Sequence, residues 1–231
     1  MVNAEVAIFA RLPVAGKVKT RLAAGVGFEK AATFYKACAE HVFVETSRCT
    51  TAQAKVHCSM ASDLPGIRDW VAAAGLSLLC TCQVARPDLG LRMHASLESA
   101  LDQHHISKAL VIGTDIPAIS ASIVDRAVAA LDSHQLVLGP AFDGGYYLLG
   151  TTCAALQLFE GIEWSSDKVL QQTLQQAKVL QLDVAPLDTL PTLQDIDTLQ
   201  DLERWRSQSP PGHPIEAVVD TILKASASDS H

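Results

Sequence analysis

No apolar run in this 231-residue chain is long enough to cross a bilayer, and the opening Met-Val-Asn-Ala-Glu lacks the basic stretch that begins a secretory leader. A cytoplasmic location is therefore expected, with no membrane partner. Positive charge is also scarce. Eighteen Lys and Arg against 25 Asp and Glu leave a formal net charge of −7. Non-specific nucleic-acid binding needs a broadly basic surface, so no nucleic-acid partner is expected. No C-x-x-C pair occurs among the six cysteines, which speaks against a structural zinc site. Without a secretory context they are expected to be reduced thiols on helices and strands. The eight histidines lack metal spacing, and no Ser-His-Asp or Cys-His arrangement for nucleophilic catalysis is visible. No internal repeat or interdomain linker interrupts the chain. One domain over residues 1–208 is expected, followed by a C-terminal helix and a disordered Ser/Asp tail within 209–231.

Against this acidic background one basic segment stands out. The apolar run Val6–Ala10 reads as a buried strand, and it empties into a loop carrying Arg11, Lys17, Lys19 and Arg21, with Pro13 and Gly16 setting the bend. No carboxylate in the segment neutralises these cations, so an anionic partner is called for, and a phosphate-bearing ligand is the simplest. Gly16-Lys17 resembles the end of a P-loop. That motif, however, requires Gly where Arg11 stands and Ser or Thr where Val18 stands. A G-x-G-x-x-G is missing from the same turn, which weakens a dinucleotide fold.

Apolar periodicity alternates between short strand-like and longer helix-like runs. Strands are predicted at 4–10, 53–58, 76–82, 109–113 and 135–139. Helices are predicted at 29–46, 64–74, 89–103 and 120–131. This alternation implies a parallel sheet with helices on both faces. Beyond residue 139 a turn and strand are expected at 142–149, helices at 152–159 and 167–177, a late strand at 179–183, and helices at 198–206 and 214–225. Thr198-x-x-Asp201 is a capping signal for the first of these last two helices.

Three acidic segments are candidates for chemistry. Gly113-Thr-Asp115-Ile-Pro117 places Asp115 at the carboxyl end of the fourth strand, where open α/β sheets bind ligands. If the first and fourth strands are neighbours, Asp115 faces the basic loop, and a carboxylate beside a phosphate site suits a bridging Mg²⁺ or Mn²⁺. Turn formation before Pro117 is the competing use of Asp115. Asp143-Gly144-Gly145 reads either as an ordinary tight turn or as backbone that approaches a ligand closely. In Asp195-Ile-Asp197-Thr198, capping explains one residue, leaving a second metal or acceptor contact for the other.

Five motifs then occur in order: Phe9-x-Arg-x-Pro13-x-x-Gly16-x-x-Lys19-Thr-Arg21-Leu22, Asp88-Leu-Gly-x-Arg92-Met93, Gly113-Thr-Asp-x-Pro117, Gly139-Pro-Ala-x-Asp143-Gly-Gly-Tyr146-Tyr147 and Asp195-Ile-Asp-Thr198. Together, over Val6 to Trp205, they resemble the family of uncharacterised glycosyltransferase-A-like proteins similar to the guanylyltransferases of coenzyme F420 biosynthesis. The resemblance implies an α/β fold: a three-layer α/β/α, Rossmann-like GT-A arrangement with a mostly parallel mixed sheet. It also implies a divalent metal, Mg²⁺ or Mn²⁺. Arg11, Lys19 and Arg21, with Pro13 and Gly16 shaping the loop, would contact nucleotide phosphates. Asp115 would bind metal, with Asp197 a second candidate, and Asp88 and Arg92 would lie near the nucleotide or acceptor as part of the nucleotide-binding set. Asp143, Gly144, Gly145 and Tyr146 would border the acceptor pocket. Pro117 stands where glycosyltransferases of this fold carry the second Asp of Asp-x-Asp. The expected activity is thus metal-dependent nucleotidyl transfer from an NTP to a small phosphorylated acceptor, with Lys19, Arg21 and Asp115 as the catalytic groups. The alternatives are a glycosyltransferase using a nucleotide sugar and a non-catalytic nucleotide-binding protein.

Overall fold

A computed structural model of the chain describes residues 2–228. Its six strands are β1 (Ala4–Ala10), β2 (Ala52–Cys58), β3 (Leu79–Cys82), β4 (Lys108–Ile112), β5 (Leu136–Pro140) and β6 (Tyr146–Thr151). Its helices are α1 (Thr20–Val26), α2 (Phe28–Ser47), α3 (Leu64–Ala73), α4 (Leu89–Leu101), α5 (Ala121–Ala130), α6 (Val169–Val179), α7 (Leu199–Gln208) and α8 (Glu216–Ser228). The strands form one sheet in the order β3-β2-β1-β4-β6-β5. Pairing is parallel from β3 through β4, and β6 runs antiparallel to both β4 and β5. This is the expected α/β architecture, with a mostly parallel mixed sheet between helical layers.

Period-2 alternation in the strands divides the core between the two faces of the sheet. Val6, Ile8 and Ala10 of β1 pack with Phe43 of α2, Ile67 of α3 and Val124 of α5. Ala7 points the other way, joining Met93 and Leu97 of α4 and Ala177 of α6. β4, in the middle of the sheet, is buried at every position, Lys108 included, and so is β5, at the edge beyond β6. A third cluster joins Leu22 of α1, Phe34 of α2 and Trp205 of α7 to Val219 and Ile222 of α8. That cluster fixes α1, and hence the basic segment, against the body of the protein.

Several expectations need correction. The predicted strand at 179–183 does not form: Val179 ends α6, Gln181 takes a left-handed φ of 57°, and only an isolated bridge from Val184 to Leu136 follows. A left-handed residue in mid-run cannot continue a strand. The predicted helix at 152–159 shrinks to a single 3₁₀ turn, Leu156–Phe159. The loop expected to carry Arg11, Lys17, Lys19 and Arg21 gives way at Thr20 to α1, a helix the periodicity does not predict. β3 is only four residues long, at the sheet edge. The C-terminal helix runs from Glu216 to Ser228, and the rest of the expected tail, 229–231, lies outside the described residues. All six cysteines are free, although Cys58 and Cys82 bring their sulfurs to 3.2 Å across β2 and β3. Among the described residues no helix is long and apolar enough to cross a membrane.

Candidate active site

β1 and β4 lie side by side, and the chain order reverses between them, because β2 and β3 extend to one side of β1 and β4 lies on the other. The carboxyl ends of two strands at such a switch point splay their loops apart and leave a crevice. Here the crevice receives the basic segment from β1 and Gly113-Thr114-Asp115 from β4.

Three contacts tie the two exits together. Tyr35 of α2 accepts a hydrogen bond from the Arg11 backbone N–H at 2.8 Å, and its hydroxyl lies 3.0 Å from the Thr114 hydroxyl. Thr114 in turn donates to the Phe9 carbonyl at 3.2 Å. A buried tyrosine needs such partners for its hydroxyl, and here they are the backbone and side chain of the crevice itself.

Lys19 occupies the centre. It precedes α1 with φ 47° and ψ 47°, a left-handed conformation that costs a non-glycine residue about 1–2 kcal/mol. This backbone turns its side chain inward, where it is only 7% exposed, with Nζ 3.0 Å from Asp115 Oδ2 and 2.7 Å from Asp197 Oδ1. Burial alone would lower the pKa of this ammonium, but the two carboxylates outweigh it and hold the pKa above its usual range. Burial likewise works to raise the Asp115 pKa, and the charge and hydrogen bond of Lys19 override it, so the carboxyl sits below its ordinary value. Arg21, on α1, reaches the other oxygen of Asp197 at 3.2 Å while staying 72% exposed.

The segment 191–197 brings Asp195 and Asp197 into place through backbone ties. Leu193 donates to Pro140, Phe142 to Leu193, and Ile196 to the Asp115 carbonyl. The capping box of α7 is complete, but it uses Thr198 and Asp201. That leaves the Asp197 side chain to Lys19 and Arg21. Asp195 has its pKa pushed up to about 6, first by burial and then by the neighbouring carboxylates of Asp143, Asp115 and Asp197.

Two joined chambers result. The smaller, about 320 Å³, is lined by Arg11, Lys19, Arg21, Tyr35, Thr114, Asp115 and Asp197. The larger, about 530 Å³, shares Phe9, Arg21, Asp115 and Asp197 with it and extends past Asp143, Gly145, Tyr146, Trp164, Ser165, Ser166, Asp167 and Asp195. Among the described residues Arg21 is the one basic side chain on the larger chamber's wall, against five aspartates. The cleft is thus bipolar, cationic at one end and anionic at the other, with the Lys19 bridge at the junction.

The structure brings together Arg11, Lys19, Arg21, Asp115 and Asp197, and places Asp143, Gly145 and Tyr146 in the adjoining chamber. Pro13 and Gly16, the latter with φ 80°, shape the loop and line neither chamber. Of the two readings of Asp143-Gly144-Gly145, Gly144 answers to the tight turn. A Cβ there would stand 2.1 Å from the Asp167 carbonyl oxygen, so its freedom serves packing of the loop before α6. Asp88 caps α4 by accepting from Leu91 N–H and borders a separate hollow with Phe159 and Trp164. Arg92 lines neither chamber. It bonds the Asp88 carbonyl and Gln83, and burial together with the nearby charge of Arg11 lowers its pKa.

Sequence reasoning missed Tyr35, Thr114 and Trp164. A tyrosine in the apolar stripe of α2 was the available signal for the first. Trp164 stands among Ser165, Ser166 and Asp167, an aromatic in a polar loop, and that contrast was the signal for it.

The α/β fold is that of the nucleotide-diphospho-sugar transferases. A candidate nucleotide-diphospho-sugar transferase from Desulfovibrio desulfuricans G20 superposes with a TM-score of 0.87 at 28% identity, over 99% of this chain and 98% of that one. CMP:2-keto-3-deoxy-manno-octonic acid synthetase complexed with CTP superposes at 0.53 and 12% identity, over 89% and 98%. Glucosyl-3-phosphoglycerate synthase from Mycobacterium tuberculosis, in complex with Mn²⁺, UDP and glucosyl-3-phosphoglycerate, superposes at 0.51 and 13% identity, over 98% and 79%. The chain belongs to the DUF2064 family, described as uncharacterized protein conserved in bacteria, whose match spans residues 38–166. No curated protein matches it.

Proposed function

We propose that this chain is a divalent-metal-dependent transferase that grips nucleotide phosphates in the cationic chamber, and that its reaction is nucleotidyl transfer. The acceptor oxygen attacks the α-phosphorus of an NTP in line, the bond to the bridging oxygen breaks, and pyrophosphate departs with the electron pair. The observation that carries this reading is the Lys19 bridge between Asp115 and Asp197, beside Arg11 and Arg21, at the sheet's switch point. Such chemistry rests on positioning and charge neutralisation, so a nucleophilic side chain is not required.

Asp115 and Asp197 suit Mg²⁺ or Mn²⁺. Among the described residues no three His, Cys, Asp or Glu side chains are grouped to hold an ion. One or two carboxylates completed by water and substrate phosphates is the usual way Mg²⁺ binds beside a nucleotide. The ion, when bound, neutralises charge on the reacting phosphates. Arg11 and Arg21 bind phosphate oxygens, and Tyr35 and Thr114 hold the two strand exits at their separation. An acceptor phosphate reaches Arg21 at the junction, while the hydroxyl-bearing remainder lies among Asp143, Asp195 and Ser166.

Glycosyl transfer from a nucleotide sugar is a second reading, favoured by the larger chamber's five aspartates, which suit sugar hydroxyls as donors. Incubation with radiolabelled NTPs and nucleotide sugars plus Mn²⁺ separates the two. Pyrophosphate release supports nucleotidyl transfer, free nucleoside diphosphate supports glycosyl transfer, and neither product with any donor would contradict both.

A further inference from the structure

Lys19 spans the two carboxylates that a divalent ion would use. Its Nζ takes Asp115 Oδ2 and Asp197 Oδ1, and Arg21 takes the remaining Asp197 oxygen. The ammonium is held there by its backbone as well as its charge, because the left-handed residue before α1 directs the side chain into the crevice. With its side chain 7% exposed, Lys19 has little open room to withdraw into, so it leaves the carboxylates only for another anion within its reach. The chamber in which it sits offers such a position, lined by Arg11, Thr20 and Arg21.

We propose that Lys19 is a built-in counter-ion that keeps the metal out of the free enzyme, and that arrival of a nucleotide phosphate draws Lys19 off Asp115 and Asp197 and so opens the metal site. This rests on the reading of Asp115 and Asp197 as the metal carboxylates. It makes nucleotide and metal binding positively coupled, and the coupling is reciprocal: each ligand raises the other's affinity by the same factor. Lys19 then has two successive partners, carboxylates before the nucleotide binds and phosphate afterwards, and the cleft never holds either set of like charges uncompensated. Arg21 does not share this role, since it is 72% exposed and free to swing into solvent.

The test is Mn²⁺ binding followed by electron paramagnetic resonance and calorimetry, with no turnover involved. Wild type without nucleotide should bind Mn²⁺ weakly, and a saturating ribonucleoside 5′-monophosphate, itself a poor Mn²⁺ chelator, should tighten binding by about tenfold or more. Lys19→Met should raise the nucleotide-free Mn²⁺ affinity by about tenfold. Lys19→Arg should leave it weak, and so should Arg21→Gln. Circular dichroism establishes that each variant is folded. Should Lys19→Met not fold, Lys19→Gln, which removes the charge but keeps a hydrogen-bond donor, takes its place with the same expected rise. A folded Lys19→Met with unchanged nucleotide-free affinity overturns the proposal. So does wild type that binds Mn²⁺ as tightly alone as with nucleotide. Absence of Mn²⁺ binding by every protein even with nucleotide defeats the metal reading itself, and this proposal with it.

Discussion

Lys19 and Asp115 stand 96 residues apart in the chain, and their Nζ and Oδ2 atoms are 3.0 Å apart in space. The pair joins the loop after β1 to the loop after β4, and Asp197, from the segment before α7, closes it into a triad. Removing either member leaves a buried or half-buried charge without its partner, which commonly costs about 3–5 kcal/mol where burial is deep. Asp115 keeps access to the cavity, so the smaller end of that range applies. Asp115→Asn should therefore fold, with a lowered melting temperature, and lose transferase activity by about two orders of magnitude or more. Thermal melting and product formation measured on the same preparation check both parts.

Tyr35→Phe removes only the hydroxyl that bridges Arg11 N–H and Thr114. A buried N–H left unpaired costs about 1–3 kcal/mol. The variant should lose that much stability by chemical denaturation. It should also bind nucleotide less tightly, because Arg11 is no longer held at its strand exit. Unchanged stability would mean that the hydroxyl does not carry the tie.

Asp195 gives a pH signature. Its pKa is about 6 in the folded protein, against 3.8 ordinarily. The folded state therefore binds more protons than the unfolded state across that window, and the Asp195 contribution to stability falls as pH rises from about 4 to about 6. Without metal, Asp195→Asn should be more stable than wild type above pH 7, by about 1–2 kcal/mol after allowance for screening by solvent. The advantage should vanish near pH 4. Melting curves of both proteins across that range give the difference directly, free of slopes contributed by other groups.

Gly144 tests the wall of the larger chamber. Any side chain there meets the Asp167 carbonyl at 2.1 Å, and the residue's φ of 87° already disfavours one. Gly144→Ala should destabilise by about 2–4 kcal/mol and displace the loop that carries Ser165, Ser166 and Asp167. If this loop forms the acceptor's binding surface, KM for the acceptor rises while nucleotide affinity holds. Trp164→Ala should show the same split with a smaller loss of stability, since Trp164 is only partly buried.

Much of the fold was visible in the residues because its signals are local. Val6–Ala10 of β1 and Ala109–Ile112 of β4 are uninterrupted apolar runs, α2 shows a helical stripe, and Thr198-x-x-Asp201 announces α7. The strand expected at 179–183 failed because hydrophobic content alone cannot show that Gln181 adopts a left-handed turn. α1 was hidden because its seven residues include Gly25, which is needed where Leu199 presses to 2.8 Å of the missing Cβ. Arg11, Lys19, Arg21 and Asp115 were legible as unpaired charges at strand ends. That Lys19 bridges Asp115 and Asp197 was not, since it depends on a backbone conformation at Lys19 and on the path of residues 191–197 across the ends of β5 and β4. Asp88 and Arg92 stood in a recognisable motif, but one of them serves as a helix cap.

The central claim is that the cleft around Lys19, Asp115 and Asp197 binds nucleotide phosphates together with a divalent ion. Calorimetric titration of wild type and Asp115→Ala with NTPs and nucleotide sugars, with and without Mn²⁺, tests it most directly. The account predicts that at least one nucleotide binds wild type in the presence of Mn²⁺. That affinity should weaken by about tenfold or more when the ion is chelated, and again in Asp115→Ala. Absence of binding by every nucleotide, or binding indifferent to both the ion and Asp115, would contradict it.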